Sequence, residues 1–165
     1  LLIIVVFFAS TLWCGARSRE LQRQRRLLQA GSGEGWAAEY LGALRARPVD
    51  DDAPLDVLVE LAQAPHHTAW WVNGVQLKLG LLGKVIGFSV LALQIGNIQS
   101  FDASQSQDLL KSLTQGLGIA LLTTMVGLVA NILLGLQLTR LDRFADGFVA
   151  DCQRAGLKIS QAAHT

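Results

Sequence analysis

The chain has 165 residues, of which 51% are hydrophobic and only 16% charged, and its formal net charge is +1. Soluble domains carry nearer a quarter charged residues, so this balance points to a small integral membrane protein with a modest aqueous part. The near-neutral net charge gives no case for nucleic-acid binding, which needs a concentrated basic face.

The first element, residues 1–15, is apolar almost without interruption. At this length a core helix, a signal-peptide core and a membrane span are confusable. The basic residues beyond it decide for a span. Arg17, Arg19, Arg23, Arg25 and Arg26 lie after the apolar run, whereas a signal peptide has its positive charge before it. Clustered arginine marks the cytoplasmic end of a helix. The chain starts at Leu1 rather than Met, and further residues are expected to precede it.

Residues 16–75 form the expected cytoplasmic loop. Arg17–Gln29 has no Pro or Gly, so the first helix should continue out of the membrane until Gly31-Ser32-Gly33-Glu34-Gly35 breaks it. Trp36–Arg45 reads as a short amphipathic helix, with Trp36, Tyr40, Leu41 and Leu44 at helical spacing. A linker with Asp50-Asp51-Asp52 comes next, and capping and solubility explain that triplet better than a metal. Pro54 suits the first turn of a helix over Leu55–Gln63. His66 and His67 stand beside Trp70 and Trp71, which reads as an interfacial aromatic belt rather than a zinc site or proton relay. Lys78 lies near the same boundary and can snorkel to headgroups.

Two long apolar helices complete the chain's membrane part, and each exceeds the roughly 20 residues that cross a bilayer. The second span is expected over residues 76–99, a short outer loop over 100–112, and the third span over 113–139. The loop region holds Asp102, Asp108 and Lys111 but no arginine, whereas Arg140 and Arg143 come after the third span. The positive-inside rule then places the N-terminus and the short loop outside. The large loop and a C-terminal helix over 140–165 are cytoplasmic.

Around each helix axis, at about 100° per residue, the polar and small residues converge. On the second span Gly80, Gly83, Lys84, Gly87, Leu91 and Gln94 share one sector. On the third, Gly116, Ala120, Thr124, Gly127, Asn131 and Gly135 do so, with Thr123 at the edge. Small residues let membrane helices approach closely, which gives Gly80, Gly83, Gly87, Gly127 and Gly135 a packing role. Lys84 and Asn131 add a second possibility. An ammonium within a bilayer costs at least about 2.5–3.5 kcal/mol and usually faces a bundle interior or a wet cavity. Lys84, Gln94, Thr123, Thr124 and Asn131 are therefore the candidate pore-lining residues. Cys14 and Cys152 have no CxxC or histidine company, so both are expected to be free thiols and no metal site is expected. There is no nucleophile–base pair, no phosphate loop and no HExxH, so no enzymatic activity is expected.

Gly80-Leu81-Leu82-Gly83-Lys84-Val85-Ile86-Gly87 and Ala120-Leu121-Leu122-Thr123-Thr124-Met125-Val126-Gly127-Leu128 resemble, in order and spacing, two segments of the MotA/TolQ/ExbB proton channel family. The three-span layout is similar to its TolQ/ExbB branch. The resemblance implies an all-α, multi-pass protein of the bacterial inner membrane, with long cytoplasmic helical extensions. It implies a homopentameric bundle whose central pore surrounds single-span partners of the ExbD/TolR/MotB type. H+ is the implied coupling ion, with no cofactor, and proton flow past a partner Asp drives rotation or pulling. Two pore-facing threonines lie near that Asp in the family. Thr124 matches one, and Lys84 stands where the other is expected. An ammonium only donates and carries charge, whereas a hydroxyl relays or holds water. Lys84 can pair with the partner's carboxylate, titrate after desolvation, or reach the cytoplasmic edge. The alternative to a channel is a non-conducting scaffold that anchors a partner helix through Lys84.

Overall fold

The computed structural model describes residues 1–46, 53–96 and 103–163. The acidic triplet at 50–52 and residues 97–102, where the expected second span passes into the outer loop, lie outside the described residues, as does the side chain of Gln94. The described residues form four helices and no strand: α1 (Leu2–Ala30), α2 (Trp36–Ala46), α3 (Ala53–Gly96) and α4 (Ala103–Ala163). α1, α3 and α4 are each long and apolar enough to cross a membrane.

Two of these helices run farther than the sequence pattern indicates. The short helix expected over Leu55–Gln63 and the second span are one helix, α3, with Pro65 inside it. A proline in a helix interior removes its own N–H and strands the carbonyl four residues earlier. Here that carbonyl is Leu61 O, and the Arg17 guanidinium donates to it at 2.6 Å and to Ala62 O at 3.2 Å. The arginine fills the vacancy that the proline creates, so the helix continues. α4 likewise runs unbroken past Arg140. It holds no proline, so the change there is in hydropathy and not in backbone.

The chain divides into two compact units. The first comprises Leu1–Ala9 and Trp71–Gly135. Its outer surface is largely apolar: Leu82, Val85, Ile86, Val90, Leu93, Leu121, Leu122, Met125, Ile132 and Leu133 are all exposed. With no water in the bilayer core, such a surface is satisfied by lipid or by another apolar helix. Inside this unit the core is made mostly of small and polar side chains, with Ala120 and Gln76 fully buried beside one large apolar residue, Leu134.

The second unit comprises Ser10–Trp70 and Leu136–Thr165 and has the interior of a soluble bundle. Leu21, Leu58, Leu138, Phe148 and Cys152 are fully buried, and the Trp36 ring meets Phe148 edge-on at 6.3 Å. The turn from α1 to α2 is fixed by main-chain chemistry. Gly31 takes φ +64°, Gly31 N–H donates to Leu28 O, and Ser32 N–H donates to Leu27 O, which is the Schellman ending of a helix. The buried Gln24 carboxamide then accepts from Trp36 N–H at 3.1 Å and so caps α2.

Candidate functional site

The first unit is organised around a close crossing of α3 and α4. At Gly80 and Gly127 the two backbones touch. A methyl group on Gly127 would lie 2.8 Å from Gly80 Cα, and one on Gly80 would lie 3.2 Å from Gly127 Cα. Along the same seam Gly83 lies against the Thr123 side chain and Gly87 against Ala120. Gly135, farther along α4, lies against the Asn73 amide. Side chains at Gly80, Gly83, Gly87 and Gly127 would drive the helices apart, so only small residues permit the approach there.

The polar candidates lie on and beside this seam. Thr124 Oγ1 lies 3.0 Å from Ala120 O on its own helix and 3.4 Å from Gly80 O across the crossing. Thr123 Oγ1 donates to its own helix, at 3.0 Å from Ala120 O and 3.1 Å from Ile119 O. A hydroxyl has one proton to donate and two lone pairs. Both threonine protons are directed at carbonyls, which leaves the oxygens as acceptors for water or for a partner's donor. Asn131 Nδ2 donates to Asn73 O at 2.7 Å and ties the helices together a further turn along. Lys84 flanks the seam. It is half-buried, makes no ion pair among the described residues, and holds its ammonium 5.9 Å from the centre of the Phe88 ring.

Two further residues, Asn73 and Gln76, belong to this seam, and both are buried. The Gln76 amide donates to Ala130 O at 3.3 Å and accepts from Phe7 N–H at 3.2 Å. Asn73 keeps one buried carbonyl oxygen, Oδ1, without a partner among the described residues. The signal for both is present in the sequence. The spacing of Gly80, Gly83 and Gly87, carried back by helical steps, reaches Gln76 and Asn73.

A second polar cluster lies in the other unit, and sequence reasoning alone did not find it. His66 is buried, and its Nδ1 lies 2.7 Å from Asp142 Oδ1. Trp70 Nε1 donates to the other oxygen of the same carboxylate at 2.8 Å, and Gln63 donates to Asp146 at 2.7 Å. Trp70 is therefore held by a carboxylate from α4, whereas Trp71 is 68% exposed. Burial holds His66 below the ordinary histidine value, although the Asp142 hydrogen bond opposes that shift. The neutral ring then donates from Nδ1 and leaves Nε2 buried without a partner among the described residues. Elsewhere in this unit, burial pushes the Cys152 thiol up to about 11, which leaves it inert as a nucleophile at neutral pH. Cys14 and Cys152 are both free.

Among the described residues no group of His, Cys, Asp and Glu is placed to hold a metal ion. No curated protein matches the chain, and no solved structure does. The profile described as the MotA/TolQ/ExbB proton channel family matches residues 72–154, a stretch that contains the whole glycine seam, Lys84, both threonines and Asn131. With half of its length matched and three apolar helices long enough to span, the chain is a multi-pass membrane protein that belongs to the MotA/TolQ/ExbB proton channel family.

Proposed function

We propose that the chain is a proton-channel subunit of the bacterial inner membrane, which assembles as a homopentamer and couples proton flow to mechanical work through a partner with a single transmembrane helix. The N-terminus lies outside and the C-terminus in the cytoplasm, as the arginine distribution favours. The observation that carries the reading is the set of polar groups at one level of otherwise apolar helices. Thr123 and Thr124 stand on the α3–α4 seam with acceptor lone pairs, and the Lys84 ammonium flanks it. Intramembrane groups of this kind are retained where ions or partner charges pass. Thr123, Thr124, Asn131, Gln94 and Lys84 line the pathway, the glycines set the helix spacing, and H+ is the coupling ion.

A second reading is favoured by one specific feature. An ammonium occupies the place of a hydroxyl at Lys84, and the threonine protons are already committed to carbonyls. In that reading the chain is a non-conducting scaffold, with Lys84 paired to a carboxylate on the partner helix. One experiment separates the two. Proton uptake and partner capture are measured in cells that co-express the chain with a single-span partner carrying an intramembrane Asp. A channel conducts, and Lys84→Thr, Thr124→Ala or Asn131→Ala changes the flux. A scaffold shows no flux in any variant and loses the partner in Lys84→Met. If none of the three substitutions changes flux or partner-dependent work, the channel assignment fails.

A further inference from the structure

The five arginines beyond the first apolar run divide into two classes. Two are committed inside the second unit. Arg17 donates to Leu61 O and Ala62 O and stacks on Trp36 at 5.1 Å, and Arg25 pairs with Asp151 at 2.8 Å and covers Phe144. The other three, Arg19, Arg23 and Arg26, are exposed. Their spacing of four and three residues places them in one stripe along α1. Arg23 reaches only a 3.7 Å contact with Glu20, while Arg19 and Arg26 make no ion pair among the described residues.

The same unit carries an acidic counterpart. Asp56 and Glu60, four residues apart on α3, are both exposed and make no ion pair among the described residues, and exposed Val57 lies between them. The heights of the two stripes are set by the contacts between α1 and α3. The Trp13 ring meets His66, and Arg17 meets Leu61 and Ala62, so the helices are antiparallel and one step forward on α1 is one step back on α3. Continued by that rule, Arg19 is level with Glu60, and Arg23 is level with Asp56. The stripes nevertheless point away from each other. On α1 the arginines lie on the side opposite Trp13 and Arg17, and on α3 the acids lie off the face that carries Ala62 and His66.

Copies of one membrane protein sit at one depth, and rotation about the membrane normal leaves heights unchanged. A basic stripe and an acidic stripe at matched heights on different helices are thus what a head-to-tail ring requires. We propose that this chain contacts a second copy of itself by laying Arg19 and Arg23 of α1 against Glu60 and Asp56 of the neighbour's α3, outside the membrane. This rests on the homo-oligomeric reading given above and specifies which surfaces meet. A lipid surface fits less well. Arg26 lies about 10 Å farther along the axis than Arg19, so the stripe runs along the helix rather than in the membrane plane. The level acidic stripe would also repel anionic headgroups.

The test uses the full chain in native membranes. Arg23→Cys and Asp56→Cys are placed in the same chain and oxidised with copper phenanthroline. The unsubstituted chain is the background, because Cys14 and Cys152 are buried. A head-to-tail contact gives a disulfide ladder beyond the dimer, and either substitution alone gives none. In parallel, Arg23→Asp or Asp56→Arg lowers the yield of assembled particle by roughly tenfold at low salt, less at 0.5 M, where exposed charges are screened. The combined charge swap restores the yield. Native mass spectrometry of the unsubstituted chain separates the two ways of failing. An intact oligomer that yields no ladder and no rescue overturns this interface alone, whereas a monomer overturns the oligomeric reading with it.

Discussion

The pairing of Pro65 with Arg17 makes a quantitative prediction, because the two residues solve one problem from different helices. Arg17→Ala removes a charge-assisted hydrogen bond to Leu61 O and the stacking on Trp36. Leu61 is 37% exposed, so water replaces part of the lost bond, and the low end of the usual range applies, about 1.5 kcal/mol. The half-buried stacking adds at least about 0.5 kcal/mol. The expected loss is therefore at least about 2 kcal/mol. Pro65→Ala supplies a backbone N–H that can take Leu61 O in the ordinary helical bond. In that background the carbonyl no longer needs the arginine, and Arg17→Ala should cost only about 0.5–1 kcal/mol. The coupling of about 1 kcal/mol is read from a four-member double-mutant cycle. Reversible unfolding of the detergent-solubilised chain, monitored by circular dichroism, is the assay. An Arg17→Ala loss that is the same in both backgrounds, to within about 0.3 kcal/mol, refutes the account of how α3 passes its proline.

The crossing and the buried histidine give two further expectations. Gly127→Ala puts a methyl 2.8 Å from Gly80 Cα, where only backbone movement relieves the clash, and should destabilise by about 1–3 kcal/mol in the same assay. Gly118→Ala, with nothing within 4 Å, should be neutral or stabilising by up to about 1 kcal/mol, and equal effects of the two would refute the seam. Because burial depresses the His66 titration, the unfolded chain takes up a proton near pH 6.5 that the folded chain resists. Stability is then full above about pH 6.5 and falls as pH drops through the folded value, with Asp142 and Asp146 opposing that loss and Arg17 adding to it. His66→Phe should flatten the profile between pH 7 and 5, measured by unfolding at several pH values, and an unchanged slope counts against the assignment.

Locality decides how much was legible in the sequence. Helical spacing of small residues is a property of one helix, so the stripe through Gly80, Gly83 and Gly87 can be read without a partner. The glycine run at 31–35 marks a helix end because αL geometry is needed there whatever surrounds it. The continuity of α3 through Pro65 cannot be read from the sequence for the converse reason. The proline's cost is local, but its remedy, Arg17, comes from another helix. His66 fails in the same way, since its carboxylate partner lies 76 residues away along the chain. Beside two tryptophans it reads as part of an aromatic belt, and only tertiary packing shows that Trp70 and His66 share Asp142.

The α3–α4 seam also bears on how the protein enters its membrane. Asn73, Gln76, Thr124 and Asn131 make polar contacts that cross from one helix to another. A solitary α4 would carry the Asn131 amide into lipid with nothing to receive it, and a solitary α3 would carry the Gln76 amide likewise. Each helix is a poorer passenger alone than beside the other. The seam therefore favours release of α3 and α4 from the insertion machinery as a joined pair, with the glycine contact formed before either helix is free to seek another neighbour.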